Sequence, residues 1–377
     1  MKISVLAFDL SDNATGRADL LARLLAPRWE VEVVGPRFGT AVWRPAIGGT
    51  VSHRALAVDG ARRYPRFARL WRDLLARADG DVLYASKPRP TSYGAALLAR
   101  RQRRRPLLLD IDDWEVGFFR RAGAWGTLGR ALNLRNPNGL PWTWLMERLA
   151  GRADGLTVAS RFLQRRFGGT LITHVRDTEA WDPVRYDRAE ARARLGVGAE
   201  RVVMFLGTPR GHKGVDDLVE AVGELGAGVR LVLVGADLEG EAARRWAARP
   251  WVRLVGEIAF DDVPRYLVAA DAVAVPQRAT SDTVGQVPAK IFDAMALARP
   301  IVSTAVSLIP EILEGCGVLV PPGDVIALAA SLRRLLDDPD GAAELGRRAR
   351  ARCEQHYSFS AARAALYPLV ERVAVAR

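Results

Sequence analysis

The chain has 377 residues, 49% of them hydrophobic, and a formal charge of +12. At about 150 residues per domain this length points to two folded domains, and the composition excludes long disorder, collagen-like repeats and a disulfide scaffold. The two cysteines, Cys316 and Cys353, have neither metal-ligand nor framework spacing, as expected in a reducing cytoplasm.

In chain order, the opening apolar run is interrupted by Asp9 and Asp12, so it reads as a first buried strand rather than a signal sequence. No later segment approaches the ~18 uninterrupted apolar residues of a membrane span. A cytoplasmic protein is expected, at most peripheral on the inner face of a membrane. Strands are predicted at Ile3 to Phe8, Val31 to Val34, Val82 to Ala85, Leu107 to Ile111, Leu156 to Ala159 and Leu171 to Val175. The charged stretch from Asp177 to about Ala199 reads as a linker ending in a short helix. A second series follows at Val202 to Leu206, Leu231 to Val234, Val252 to Val255, Ala272 to Val275, Ile301 to Ser303 and Val318 to Val320. Helical patterns fill the gaps, among them Val215 to Leu225, Asp261 to Ala270, Ala289 to Ala298, Val325 to Leu336 and a closing pair from about Ala342. This alternation predicts two doubly wound α/β domains with parallel sheets, at about 1–180 and 181–357. Ligands of such sheets lie beyond the carboxyl ends of the strands, so the residues just after each strand carry the interest.

After the strand Val202 to Leu206 the chain reads Gly207-Thr208-Pro209-Arg210-Gly211-His212-Lys213-Gly214 and enters a helix. A glycine turn at a helix N-terminus offers backbone N–H groups to phosphate, and Arg210 and Lys213 add charge; the alternative is a pair of solvated cations. Farther on, Pro288-Ala289-Lys290-Ile291-Phe292-Asp293 opens a helix with Lys290 and Asp293 on one face at i, i+3. A lysine there can meet a diphosphate, and a carboxylate can accept the hydroxyls of a ribose. The alternative is an ordinary surface ion pair. Scarcity favours the first reading: of 55 basic residues only Lys2, Lys87, Lys213 and Lys290 are lysine, and two of those four fall where a phosphate would sit. Lys87 likewise follows a strand, in Ala85-Ser86-Lys87-Pro88-Arg89.

The pieces FLGTPRGHKGVDDLVEA, VRLVGEIAFDDVPRYLVAADAVAVPQ, PAKIFDAMALARPIVST and GVLVPPGD come in this order across roughly residues 200 to 325. Together they resemble the nucleotide-binding domain of glycosyltransferase family 4, whose GT-B fold has two Rossmann-like domains facing a cleft. The first half resembles the family more loosely, through the turn Asn13 to Arg17 with Gly16 and the run Leu109-Asp110-Ile111-Asp112-Asp113-Trp114. The last helix, about 358–377, resembles the family's closing helix, which crosses back onto the first domain. The resemblance implies a retaining, metal-independent glycosyltransferase that needs no cofactor beyond its co-substrate, a nucleotide diphosphate sugar. Lys213 would contact the diphosphate, and Asp293 would bind the ribose in place of the usual glutamate. Eight positions earlier, where the family tends to have another glutamate, stands Gly285; Arg210 would replace an arginine that is here Thr208. The expected donor-binding residues are Gly16, Gly207, Arg210, Lys213, Gly285, Ala289, Lys290 and Asp293.

Asp110-Ile111-Asp112-Asp113 invites a metal reading, but in this architecture the run belongs to the acceptor domain, where leaving-group charge is handled by cations and helix N-termini. Asp112 or Asp113 would orient or deprotonate the acceptor hydroxyl, with Lys87 beside them; the alternative is that they cap the following segment. Arg62, Arg66, Arg69 and Arg77 opposite Phe67, Leu70, Trp71 and Leu74, five arginines from Arg100 to Arg105, and Phe118, Phe119, Trp125, Trp142 and Trp144 would suit an anionic membrane surface and a lipid-linked acceptor. Core packing explains the aromatics equally well, and a glycan or small-molecule acceptor is the alternative. A nucleic-acid partner is not expected, because the arginines form no known module. The rival readings are a nucleotide-sugar epimerase or phosphorylase on the same fold, and a non-catalytic, basic, membrane-docked protein.

Overall fold

The computed structural model describes residues 1–46, 51–58, 63–65, 67–122, 133–280, 283 and 285–375. They form two compact units, one of Met1–His174 with Ala362–Arg377 and one of Val175–Ala361.

In the first unit the described strands are β1 (Lys2–Leu6), β2 (Glu30–Arg37), β3 (Ser52–Ala57), β4 (Val82–Ser86), β5 (Leu107–Ile111), β6 (Gly155–Val158) and β7 (Thr170–Leu171). They pair in parallel in the order β3-β2-β1-β4-β5-β6-β7. Strands β4 and β5 are buried along their whole length, as continuous apolar runs covered on both faces should be. Alternation sends Leu107, Leu109 and Ile111 into a core shared with Phe67, Leu70 and Leu74 of the helix Phe67–Arg77. Asp110 therefore points to the other face, where Arg17 grips it through Nε at 2.9 Å and Nη2 at 2.8 Å. Thr157 donates to the same carboxylate at 2.7 Å, and Arg17 also donates to the carbonyls of Ile172 and Thr173. Asp110 is thus engaged by Arg17 and Thr157, whereas Asp112 and Asp113 follow the end of β5 and pair with Lys87. The helix Phe359–Val375 closes this unit, with Tyr367 donating to the carbonyl of Leu24 at 3.0 Å and packing edge-on against Trp29.

The second unit has β8 (Arg201–Leu206), β9 (Val229–Val234), β10 (Val252–Val255), β11 (Ala272–Val275), β12 (Ile301–Thr304) and β13 (Val318–Val320), parallel in the order β10-β9-β8-β11-β12-β13. Val203 and Phe205 meet Val215, Leu218, Val219 and Val222 of the helix Val215–Gly223, whose i, i+3, i+4, i+7 spacing forms one apolar stripe. Met204 and Leu206 face the opposite core, with Ile291, Phe292 and Met295. The strand order reverses between β8 and β11, and between β1 and β4. In sheets of this kind ligands bind at the loops after the strands that flank such a reversal.

Three expectations are corrected. The charged stretch from Asp177 to about Ala199 does end in the expected short helix, but it is not a solvated linker: Trp181, Ala191, Leu195 and Val197 enter the core of the second unit. Asp187 caps the helix Arg188–Leu195 by accepting from Ala189 and Glu190, and Gly196 ends it at φ +63. Strand β3 was not anticipated, because as a half-exposed edge strand it has no apolar run. Strand β7 ends at Leu171 rather than Val175.

Replacing Asp110 by Ala leaves the Arg17 guanidinium buried without its carboxylate, which costs about 3–5 kcal/mol. Chemical denaturation should show a lower midpoint for the first unit; an unchanged midpoint would mean that carbonyls alone satisfy Arg17.

Candidate functional site

In the second unit, Gly207 ends β8 at φ +102 and Gly235 ends β9 at φ +93. A Cβ on Gly235 would stand 3.0 Å from the carbonyl carbon of Gly207, so the strand ends approach as only glycine permits. The next turn brings Lys213 Nζ back onto the carbonyl of Thr208 at 2.6 Å. Lys290, second residue of the helix Ala289–Ala296, reaches the same place from the other side of the switch point. Its ammonium stands 3.8 Å from the centroid of the Phe205 ring, and a Cβ on Gly207 would be 3.7 Å from it. No side chain caps the N-terminus of this helix.

Among the described residues neither lysine has a salt bridge. Burial pushes Lys213 down to about 8, assisted by repulsion from Arg210. Burial also holds Lys290 well below the ordinary lysine value, with Lys213 adding repulsion and Asp293 opposing it. Two ammonium groups that sense each other, one against the Phe205 ring and the other on a backbone carbonyl, with no carboxylate bond to either among the described residues, form a site complementary to a polyanion. Arg210 is exposed at its rim.

The turn that carries Lys213 is fixed from below. The Arg278 N–H donates to the carbonyl of His212 at 2.8 Å, while its guanidinium forks onto Asp217 in the first turn of the following helix. Gly214 has φ +64 and sits so close to Pro276 that a Cβ would lie 1.9 Å from its carbonyl oxygen. Gly285 is buried at φ +78, with its N–H on Ser307 Oγ at 3.0 Å. A glutamate there would be strained, so its absence follows from the backbone.

Asp293 lies beneath this cluster, but it is not a free acid. Arg176 binds its Oδ1 through Nε and also donates to the carbonyls of Val175 and, at 3.2 Å, Ala289. The same guanidinium lies against the rings of Phe260 and Trp181, at 5.1 and 5.6 Å. Burial raises the Asp293 carboxyl while Arg176 and Lys290 oppose the rise. Nothing in the sequence singled out Arg176, which is 117 positions from its partner.

The first unit brings Lys87, Asp112 and Asp113 together and adds Glu115 and Arg89. Lys87, at φ +73 just after β4, places its ammonium 2.7 Å from Asp112 Oδ1, 3.0 Å from Asp113 Oδ2 and 2.9 Å from Glu115 Oε1. Arg89 takes the other oxygen of Glu115 and donates to Thr143 Oγ1 at 2.8 Å. These three carboxylates have oxygens within 4.8 Å of one another and could hold a cation, but the lysine ammonium already stands among them. Burial opposes the charge on Lys87, yet Asp112, Glu115 and Asp113 hold it well above its ordinary value. Burial would raise Glu115 too, but Arg89 and Lys87 keep it low. Burial prevails at Asp113, pushing it up to about 6 against Lys87, with Asp112 and Glu115 assisting. Asp113 is also the most exposed of the three, its side chain 24% accessible.

Gly16 is also in the first unit, in the first turn of the helix Thr15–Leu25, where a Cβ would stand 3.1 Å from the Trp43 ring. Of the arginine and aromatic stretches, Arg62, Arg66 and Trp125 lie outside the described residues. Trp71 and Trp142 donate to the carbonyls of Pro90 and Leu134, and Trp144 is exposed with Arg148 5.0 Å from its ring.

The parallel strand orders and their switch points are those of the GT-B fold, and the crystal structure of the Anabaena protein HepE in complex with UDP-glucose superposes with a TM-score of 0.76 at 21% identity, covering 99% of this chain and 100% of that one. Residues 200–338, which carry the lysine pair, match the family model described as glycosyl transferases group 1, and through them the chain is related to that family. It is 30% identical over 196 residues to the alpha-D-kanosaminyltransferase of Streptomyces kanamyceticus, spanning 49% of this chain and 48% of the relative. It is 33% identical over 194 residues to the D-inositol 3-phosphate glycosyltransferase of Kineococcus radiotolerans, spanning 44% and 43%. The chain thus spans about half the length of these relatives. Among the described residues, no helix is long and apolar enough to cross a membrane.

Lys87→Met would leave three carboxylates crowded together. Asp113 already has a folded value of about 6 against 3.8, so its protonated form is the one the fold favours and its contribution to stability falls as pH rises from about 4 to about 6. Without Lys87 that loss extends to higher pH. The melting-temperature deficit of the variant should grow between pH 5 and pH 8; a deficit independent of pH would contradict the network.

Proposed function

We propose that the chain is a glycosyltransferase that moves a sugar from a nucleotide diphosphate sugar to an acceptor hydroxyl. The observation that carries this reading is the pairing of a buried Lys290 with a half-buried Lys213 at the switch point of the second sheet, with no carboxylate bonded to either among the described residues. Charge develops on the diphosphate as the glycosidic bond breaks. Fixed cations in a poorly solvated place stabilise that charge without reorganising. Lys213 and Lys290 would take the diphosphate, with Arg210 at the rim and the uncapped N-terminus at Ala289 adding N–H donors. Gly207 and Gly285 keep side chains out of the way, and Asp293 can offer a ribose hydroxyl the oxygen that Arg176 leaves. The relatives, named as sugar transferases, support this reading, and the family resemblance supports retention of configuration without a metal.

The first unit would serve the acceptor, with Gly16 in the first turn of the helix Thr15–Leu25. A carboxyl that titrates near 6 can hold or release a proton at neutral pH, so Asp113 is the proton acceptor we assign, while Asp112 and Lys87 hold it in place. The exposed Trp144 beside Arg148 favours a lipid-linked or glycan acceptor at an anionic surface. Buried free thiols at Cys316 and Cys353 suit a cytoplasmic setting.

Thermal melting with UDP, GDP, TDP and ADP sugars tests the donor site. A donor at a hundredfold excess over its Kd stabilises by about 2.7 kcal/mol. One nucleotide series should raise the melting temperature of the wild type and leave Lys290→Ala unchanged, and the same donor should be slowly hydrolysed to free sugar and nucleoside diphosphate. Equal shifts in the two proteins, or none with any nucleotide, would refute the assignment.

A further inference from the structure

At the opposite end of the second sheet, where β8, β11 and β12 begin, lies a cavity of about 550 Å³. Four arginines line it, Arg188, Arg201, Arg299 and Arg347, against two acids, Asp271 and Asp337. Ala270, Pro300 and Leu336 add apolar lining. Both acids are already engaged. Asp271 binds Arg188 and the N–H of Val202 and lies 3.4 Å from Arg192, while Asp337 pairs with Arg201 at 2.7 Å. Arg347 reaches only Glu344, at the rim.

Arg299 is the distinctive group. Its Nε donates to the carbonyl of Leu297 at 2.9 Å and its Nη1 makes long contacts of 3.4 Å to the carbonyls of Val268 and Ala270. Nη2 donates to no described acceptor, and no carboxylate pairs with the guanidinium. Burial, with Arg188 adding repulsion and Asp271 opposing it, lowers it to about 10, the reverse of the shift at Arg17 on Asp110. The helix Pro339–His356 starts at the same cavity, with Pro339, Ala342 and Ala343 in the lining; its N-terminus is already capped by Asp338, which accepts from the Gly341 N–H at 2.9 Å.

Substrates of a doubly wound sheet bind at the carboxyl ends of its strands, so the donor does not account for this cavity. Arg201 and Gly207 bracket β8 and are separated by roughly 20 Å at 3.3 Å per residue. We propose that the amino-terminal end of the second sheet carries a separate site for a phosphate-bearing anion, whose oxygens Arg299 and Arg188 bind while Arg201 and Arg347 close around it. The ligand class is an organic phosphate with a small apolar part, matching the mixed lining; a soluble phosphorylated metabolite and a phospholipid headgroup share that chemistry. The helix Ala289–Ala296 links the two ends of the sheet, with Lys290 at its start and the Arg299-bound carbonyl of Leu297 just past its end.

The test uses the full chain with Lys290→Ala as background, so that the donor site does not contribute. Isothermal titration with inorganic pyrophosphate and with glycerol 3-phosphate probes the soluble source; cosedimentation with phosphatidylglycerol vesicles, against phosphatidylcholine alone, probes the headgroup. Arg299→Leu is the direct variant, but it removes bonds to three carbonyls. Arg188→Ala with Arg347→Ala, whose side chains are 46% and 65% exposed, spares the core. Binding in either arm that weakens about tenfold or more in the double variant supports the site, as expected for two lost charge-assisted contacts. The responsive arm identifies the source. No binding in either arm, or binding that the double variant leaves intact, overturns it. Because Lys290 is absent throughout, failure here leaves the donor reading standing, and success does not depend on it.

Discussion

The second unit is organised around a charge that the protein does not neutralise. Lys213 and Lys290 are drawn to one spot by strand ends that only glycine allows and by a short helix without a cap, and Phe205 provides a ring rather than a carboxylate. Burial lowers the proton affinity of both amines, to about 8 at Lys213. A bound dianion reverses that balance, because it supplies the counter-charge in the place where solvation is poorest. The arrangement is therefore poised rather than satisfied, and Arg278, Asp217 and Gly214 hold the turn in that state.

The first unit uses the same residue types to the opposite end. Lys87 is also buried beyond a strand, yet three carboxylates surround it and fix its proton. What remains unsettled there is an acid, Asp113, and not a cation. One sheet thus presents cations without a bonded carboxylate and the other a carboxyl raised to about 6; under the proposed function the first would stabilise a leaving group and the second would take a proton.

How much was legible in the sequence follows from how local each feature is. Buried parallel strands are contiguous apolar runs, so β4, β5, β8, β9 and β11 could be read directly, whereas the half-exposed edge strand β3 could not. Lys213 and Lys290 stood out because the chain otherwise uses arginine and because both fall at helix starts after strands. Asp110 was grouped with Asp112 and Asp113 by adjacency, although it lies within β5 and is taken up by Arg17 and Thr157, while the other two follow the strand end and meet Lys87. Arg176, Glu115 and Arg89 were not singled out, since ordinary charged residues acquire their roles only when the fold joins distant segments.

With four lysines in the chain, the central claim is open to direct observation by NMR of ε-labelled lysine side chains across pH. Lys213 should titrate near 8 and Lys290 well below the ordinary range, and addition of UDP should raise both values while Lys2 and Lys87 do not respond. Four lysines that all titrate near 10.5, unmoved by nucleotide, would contradict that claim.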